Sequence, residues 1–207
     1  MPIIIAIGGG SGSGKTTLAD AICQELGGQA SRLSFDSYYK DQADLSMDER
    51  RRLNYDSPAA FDMDLLMSDL EKIKKGQNVN IPIYDFSLFT RTSGTIPFVP
   101  KKFVIVDGIL ALEIPRADEL YDYKVFVKAD SDIRLARRIL RDTKERGRSP
   151  ENVISQYLAT VRPMHLQYVE PARYRADFVF DNSSEEGLDP DEVAVLKAKI
   201  LRLGASL

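Results

Sequence analysis

An α/β fold, a parallel sheet with helices on both faces, is what this sequence predicts, and three observations predict it. Short apolar runs alternate with helical patterns, the order that parallel strands joined by crossover helices require. The run Ile3-Ile4-Ile5-Ala6-Ile7 leads into Gly9-Gly10-Ser11-Gly12-Ser13-Gly14-Lys15-Thr16, and a helix-like segment from Thr17 to Leu26 follows at once. No repeat, low-complexity tract or proline-rich linker divides the 207 residues, so residues 1–207 are expected to form one domain.

The glycine-rich stretch is the strongest local signal. Glycines let the backbone turn tightly enough for successive N–H groups to point inward, and the following helix N-terminus adds partial positive charge. Glycine, four residues, glycine, lysine and threonine between a strand and a helix is the pattern of a P-loop NTPase-type nucleotide cradle. Residues Gly9 to Thr17 are expected to hold a nucleoside triphosphate, with Lys15 at the β- and γ-phosphates and the Thr16 hydroxyl on Mg2+. The bland reading is a glycine-rich turn that binds nothing.

Ser31 to Phe35 reads as the second strand, with Asp36 at its carboxyl end. Ligands of open α/β sheets collect outside the carboxyl ends of strands, so Asp36 and the phosphate loop are expected to share a crevice. Ser46-Met47-Asp48-Glu49 has the form of a capping box, and Asp62 is placed to cap a helix whose Leu65, Leu66, Leu70 and Ile73 make an apolar stripe ending at Gly76. Asp56, in Asn54-Tyr55-Asp56-Ser57-Pro58, is either turn chemistry or a site residue.

Val79 to Phe86 and Thr95 to Val99 are β-rich and flank the polar Thr92-Ser93-Gly94, with Pro82, Pro97 and Pro100 interspersed. Proline keeps to sheet edges, so residues 79–99 are expected to be a hairpin arm projecting from the core sheet and able to cover a substrate. Phe103 to Val106 form the next buried strand, and Asp107 at its end is either a water-mediated magnesium ligand or a helix cap.

After the strand Tyr123 to Val127, the next helix carries Arg134, Arg137, Arg138 and Arg141 on one face, with Ile133, Ala136 and Leu140 as the adjoining apolar stripe. Such charge runs are commonly solvated. Beside a phosphate loop, repeated arginines suit bidentate phosphate recognition, so residues 132–150 are expected to be an arginine-rich helical lid. Pro150 starts a further helix bearing Gln156, Phe178 to Phe180 is a last short strand, and Asp189 caps a terminal helix ending near Leu203.

Composition narrows the partners. Twenty-eight basic and 31 acidic side chains give a net charge of −3, which leaves no global field for nucleic acid or a membrane surface. The first apolar run is too short to span a bilayer and no basic leader precedes it, so a cytoplasmic location is expected. The single Cys23 excludes an internal disulfide and reads as core; the lone His165 has no partners for a zinc site and reads as a surface or satisfied helical histidine.

Several stretches together resemble the uridine kinase (uridine-cytidine kinase) family over nearly the whole chain. They are the phosphate loop, Phe35-Asp36-Ser37-Tyr38-Tyr39-Lys40-Asp41, Asn54-Tyr55-Asp56-Ser57-Pro58, Ile83-Tyr84-Asp85-Phe86, Arg141-Asp142 with Glu145-Arg146-Gly147-Arg148, and Gln156-Tyr157 with Val161-Arg162-Pro163. The resemblance implies transfer of a phosphoryl group from ATP or GTP to the 5′-hydroxyl of a pyrimidine ribonucleoside, and a homo-oligomer.

It also implies roles. Asp36 would take or orient the hydroxyl proton, Asp56, Arg138 and Gln156 would hold the ribose, and Tyr84 and Arg148 would face the base. Arg141, Arg146 and Arg148 would close over the phosphates. Asp107 stands where relatives often carry glutamate, Phe89 where a histidine is expected near the base, and Asp181-Asn182-Ser183 where a proline-arginine-glycine loop is expected near the nucleotide base. A phosphoribulokinase- or pantothenate kinase-like enzyme, and a nucleotide-binding regulatory switch, are the competing readings.

Overall fold

The computed structural model describes residues 1–114 and 116–205. Five strands make one wholly parallel sheet: β1 (Ile3–Gly9), β2 (Ala30–Ser34), β5 (Phe103–Asp107), β6 (Tyr123–Lys128) and β7 (Phe178–Asp181), in the spatial order β2-β5-β1-β6-β7. β1 lies at the centre, and its successive side chains feed two cores. Ile4 and Ala6 enter one core with Leu33, Val104 and Leu70, whereas Ile3, Ile5 and Ile7 enter the other with Leu18, Ile22, Leu196 and Ile200. A strand covered on both faces has no polar side to alternate, which is why β1 and β5 are almost continuously apolar. The register sets Ile7 and Ser34 on either side of Asp107, so β2 and β5 finish level with one another and β1 runs two residues further, to Gly9, into the glycine loop.

α1 (Lys15–Leu26) starts directly from the glycine loop. Gly12 and Gly14 have φ of 81° and 89°, in the left-handed region. A Cβ at Gly12 would lie 2.3 Å from the Arg134 carbonyl oxygen, and one at Gly14 would lie 2.2 Å from Asn182 Nδ2. Both positions exclude side chains by backbone conformation and by space.

α2 (Met47–Arg52) begins with the expected capping box between Ser46 and Glu49, and α3 (Met63–Lys74) with the Asp62 carboxylate accepting from Leu65 N. Leu66, Leu70 and Ile73 are buried, and Leu65 is half-buried.

The arm is a separate antiparallel pair, β3 (Val79–Asp85) and β4 (Thr90–Phe98). Its turn falls at residues 86–89; Thr92-Ser93-Gly94, the expected turn, lies inside β4. The Asp85 carboxylate decides this by accepting from Ser87 N at 2.8 Å and Leu88 N at 3.1 Å, an aspartate turn that competes successfully with glycine-containing alternatives. Phe89 closes it at φ 53°.

α4 (Ser131–Arg146) ends at Gly147 in the left-handed conformation. Its two faces are exchanged relative to the expected pattern. Arg134 and Arg138 are buried, Ala136 and Leu140 are exposed, and Ile133 is half-buried. The reason is the partner: α4 lays its charged face on the polar phosphate loop, where the Arg138 guanidinium donates to Ser11 Oγ at 2.8 Å.

α5 (Pro150–Gln156) continues unbroken to residue 172 through two π-helical segments, Tyr157–Val161 and His165–Val169. Each contains the residue four places before a proline, Ala159 before Pro163 and Gln167 before Pro171. A proline inside a helix removes a donor and crowds that carbonyl, and the wider π turn gives it room. The C-terminal helix Pro190–Leu203 packs against α1. No helix among the described residues is long and apolar enough to cross a membrane.

Candidate active site

Two cavities open at the carboxyl ends of the central strands. One, of about 560 Å³, follows the phosphate loop past Gly12, Gly14, Thr16 and Thr17. The other, of about 1020 Å³, runs under the arm past Tyr55, Asp56, Tyr84, Phe89, Arg148 and Gln156. They share a wall that includes Lys15, Asp36, Arg141 and Arg146, together with Tyr84, Phe86 and Glu145. Of the residues expected in the cradle, Gly9, Gly10 and Ser13 line neither cavity; Gly9 and Gly10 sit at the end of β1 and the start of the loop, Ser13 is fully buried, and the turn is fixed by Ser13 N donating to the Gly10 carbonyl at 3.0 Å.

The shared wall joins opposite charges in a dry setting. Burial pushes the Lys15 ammonium below its usual value, with Asp36 and Asp107 pulling back up. Burial likewise raises the Asp36 carboxyl, opposed chiefly by Lys15. Desolvation disfavours both charged forms, and their proximity offsets this only in part. Asp36 sits in the first turn of the short 3₁₀ segment Phe35–Tyr38 that extends β2.

Asp107 is 3% exposed and accepts from Thr16 Oγ1 at 3.0 Å and from Arg32 Nε at 2.8 Å. A threonine hydroxyl and a carboxylate within hydrogen-bond reach are hard oxygen donors of the kind Mg2+ takes. No cluster of three or more metal-binding side chains occurs among the described residues. The residues therefore fit an ion that keeps waters and takes its remaining ligands from substrate phosphates.

Around the larger cavity, Gln156 Oε1 accepts from Arg138 at 2.9 Å and from Arg148 at 2.5 Å. Asp56, raised by burial and drawn back by Arg138, accepts from Thr160 Oγ1 at 3.4 Å. Tyr84 tilts against Tyr39 with ring centroids 4.9 Å apart, and Phe89 against Tyr55 at 5.7 Å. Arg146 lies over the Phe86 ring at 5.4 Å. The structure thus brings all the expected substrate-side residues to one cavity.

Three participants, Asp142, Arg32 and Asn182, have no role assigned to them from the sequence, although Asp142 and Asn182 fall in stretches that the resemblance picks out. Asp142, fully buried, faces Arg138, Arg141, Arg146 and Arg148; the spacing of Arg138, Asp142 and Arg146 at i, i+4 and i+8 was a legible signal for part of this. Arg32, on Asp107, lies mid-strand in β2 (Ala30-Ser31-Arg32-Leu33-Ser34), 75 positions from its partner, with no local spacing to mark the pair. Asn182 Nδ2 donates to the Ser13 carbonyl at 2.7 Å, and Arg137 donates to the Asn182 and Ser184 carbonyls, so the loop after β7 braces the phosphate loop. His165 is buried rather than at the surface, and it sits with Arg134 under Gly10 with its Nε2 3.2 Å from Glu170. Cys23, expected in the core, is only half-buried.

A phosphate loop, a carboxylate at the second strand and arginines on a covering helix define a P-loop phosphotransferase that takes its phosphoryl group from a nucleotide. The chain belongs to the Phosphoribulokinase / Uridine kinase family, whose model matches residues 4–188. The uridine kinases of Staphylococcus epidermidis and Staphylococcus aureus are each 47% identical to it over 201 residues, 97% of this chain and 96% of theirs. Among solved structures, phosphoribulokinase from Rhodobacter spheroides superposes with a TM-score of 0.66 at 19% identity, covering 87% of this chain and 70% of that one. D-glycerate 3-kinase from Cryptococcus neoformans does so at 0.59 and 19% identity, covering 83% and 80%. These structural likenesses establish the fold alone.

Proposed function

We propose that this protein is a cytoplasmic nucleoside kinase of pyrimidine salvage, transferring the γ-phosphoryl group of ATP or GTP to the 5′-hydroxyl of uridine or cytidine to give UMP or CMP. The observation that carries the proposal is the wall, including Lys15, Asp36, Arg141 and Arg146, shared by a phosphate-loop cavity and a second, aromatic-lined cavity. Phosphoryl transfer needs an acceptor and a donor aligned across one such wall, with cations where charge moves.

The donor's phosphates lie along residues 9–17, with Lys15 at the β- and γ-phosphates. Thr16 and Asp107 would hold Mg2+, and that ion would supply neutralisation of phosphate charge. Asp56, Arg138 and Gln156 take the ribose hydroxyls, and Tyr84, Phe89 and Arg148 surround the base. Asp36, beside Lys15, accepts the 5′-hydroxyl proton; its raised basicity brings it closer to the optimum for that task. Arg141 and Arg146 stabilise charge on the transferring group, where arginine is most useful. The implied homo-oligomer is measured by light scattering.

The test is a panel of nucleosides and sugars assayed for ADP release, with the product identified chromatographically. UMP or CMP as the main product supports the reading. A sugar phosphate as the main product replaces it with another kinase of the family, and ADP release independent of acceptor replaces it with a nucleotide switch.

A further inference from the structure

The two oxygens of the buried Asp142 carboxylate face different halves of the site. Oδ1 accepts from Arg141 at 2.9 Å through Nε and lies 2.7 Å from its terminal nitrogen, with Arg146 at 3.8 Å. Oδ2 faces Arg138 and Arg148, each at 3.6 Å, and forms no hydrogen bond; Arg138 Nε, directly opposite, forms none either. That gap exceeds hydrogen-bond distance by only about 0.5 Å. Arg138 and Arg148 are the pair that converges on Gln156.

We propose that Asp142 is a positioning residue that couples the two ligands. It is held by Arg141 when the phosphate site is free and turns fully to Arg138 and Arg148 when a triphosphate draws Arg141 away. The inference rests on the assignment of Arg141 to phosphate and of Arg138 and Arg148 to nucleoside.

Physically, the carboxylate has one charge and four claimants, and its two oxygens cannot both satisfy their partners in the present geometry. A triphosphate offers Arg141 and Arg146 more negative charge than Asp142 does. Released from them, Asp142 closes on Arg138 Nε, where two buried polar atoms each lack a partner, and satisfying both is strongly favoured in a dry setting. Arg138 and Arg148 then stand fixed against Gln156 before the nucleoside arrives. Binding of either ligand therefore favours the other by the same factor.

The experiment measures the dissociation constant of uridine by calorimetry, alone and with a saturating non-hydrolysable ATP analogue and Mg2+. In the wild type the analogue is expected to tighten uridine binding by about fivefold or more. In Asp142→Asn the tightening falls below about twofold. Arg141→Gln shifts the other way: with the competitor for Asp142 gone, uridine alone binds about threefold tighter than to wild type, and the analogue adds little. A purely structural role for Asp142 would weaken uridine binding in both variants. Should Asp142→Asn fail to fold by circular dichroism, Arg141→Gln, whose side chain is already one-third exposed, decides the matter alone.

Full tightening in Asp142→Asn, no tightening in wild type, or weakened uridine binding in Arg141→Gln overturns the coupling. Wild-type protein that binds the analogue but no pyrimidine nucleoside overturns instead the functional reading beneath it, and the coupling falls with it.

Discussion

The Arg32 guanidinium grips the Asp107 carboxylate with Nε at 2.8 Å and a terminal nitrogen at 3.3 Å, while a second terminal nitrogen reaches Asp20 at 2.7 Å. A cation thus stands beside the carboxylate proposed to hold Mg2+. Arg32→Leu leaves Asp107 buried with Thr16 as its hydrogen-bond partner and Lys15 as the nearby cation, and removing one partner of such a pair exposes the desolvation cost of the other. The expected loss is about 2 kcal/mol, since Arg32 is partly exposed. Mg2+ alone should recover more thermal stability in the variant than in the wild type. Melting curves with and without Mg2+ check it, and equal shifts would show that Arg32 and the metal do not share Asp107.

Asp36→Asn is expected to lower kcat by roughly 10² to 10⁴ with ATP affinity nearly unchanged, the signature of a lost base. The pH dependence follows from burial. Because the carboxyl is raised above 3.8, the wild-type rate falls as pH drops through that raised value and is flat above it. The variant has no such acid limb. Binding titrations and pH–rate profiles on the same preparations decide it. A large loss of ATP affinity at normal kcat would move Asp36 to the metal site.

His165 makes the fold itself sensitive to acid. Burial, with Arg134 beside it, pushes the imidazole from 6.5 down to about 4, and Glu170 opposes this only in part. A depressed pKa means that the native state resists the proton that the unfolded chain accepts. Stability is therefore intact above about pH 6.5 and is lost as pH falls toward 4, by about 2 kcal/mol at pH 5. His165→Gln should remove that portion of the slope. Urea unfolding of both proteins at pH 7.5 and pH 5 measures it, and parallel losses would place the acid sensitivity elsewhere.

What the sequence revealed follows from how local each determinant is. The phosphate loop was legible because strand, glycines, lysine and helix are consecutive, and the caps at Ser46 and Asp62 because each acts within three residues. The arm's turn was misplaced because Gly94 and its polar neighbours look like a turn, whereas Asp85 and the left-handed Phe89 make one. The buried face of α4 was inverted because amphipathic patterning presumes an apolar partner, and here the partner is Ser11 and the phosphate loop. Asp142 gathers Arg148 only because Gly147 reverses the chain, with Arg148 N donating to the Asp142 carbonyl at 3.2 Å. Asn182 reaches Ser13 across 169 positions, and no spacing in the sequence announces it.

Phe89 is expected to set the choice of base. It lines the larger cavity with Tyr84 and Arg148, and the family resemblance places a histidine here, near position 4 of the pyrimidine. Imidazole can donate to the uracil carbonyl or accept from the cytosine amino group, and phenylalanine can do neither. A polar group buried without a partner costs roughly 1 to 3 kcal/mol, about 5- to 150-fold in specificity constant. The two bases do not suffer equally. Arg148 can only donate, which suits the N3 acceptor of cytosine and opposes the N3–H of uracil. Burial holds the Tyr84 phenol neutral, so it can serve either base. Cytidine should therefore be preferred over uridine. Phe89→His should raise kcat/KM for uridine by at least about tenfold, or 1.4 kcal/mol. The exchange should not cost stability, because φ of 53° is strained for a bulky residue and better tolerated by histidine. Steady-state kinetics of both proteins on both nucleosides is the check. A ratio of specificity constants that moves by less than about twofold would mean that Phe89 packs against Tyr55 and never touches the base.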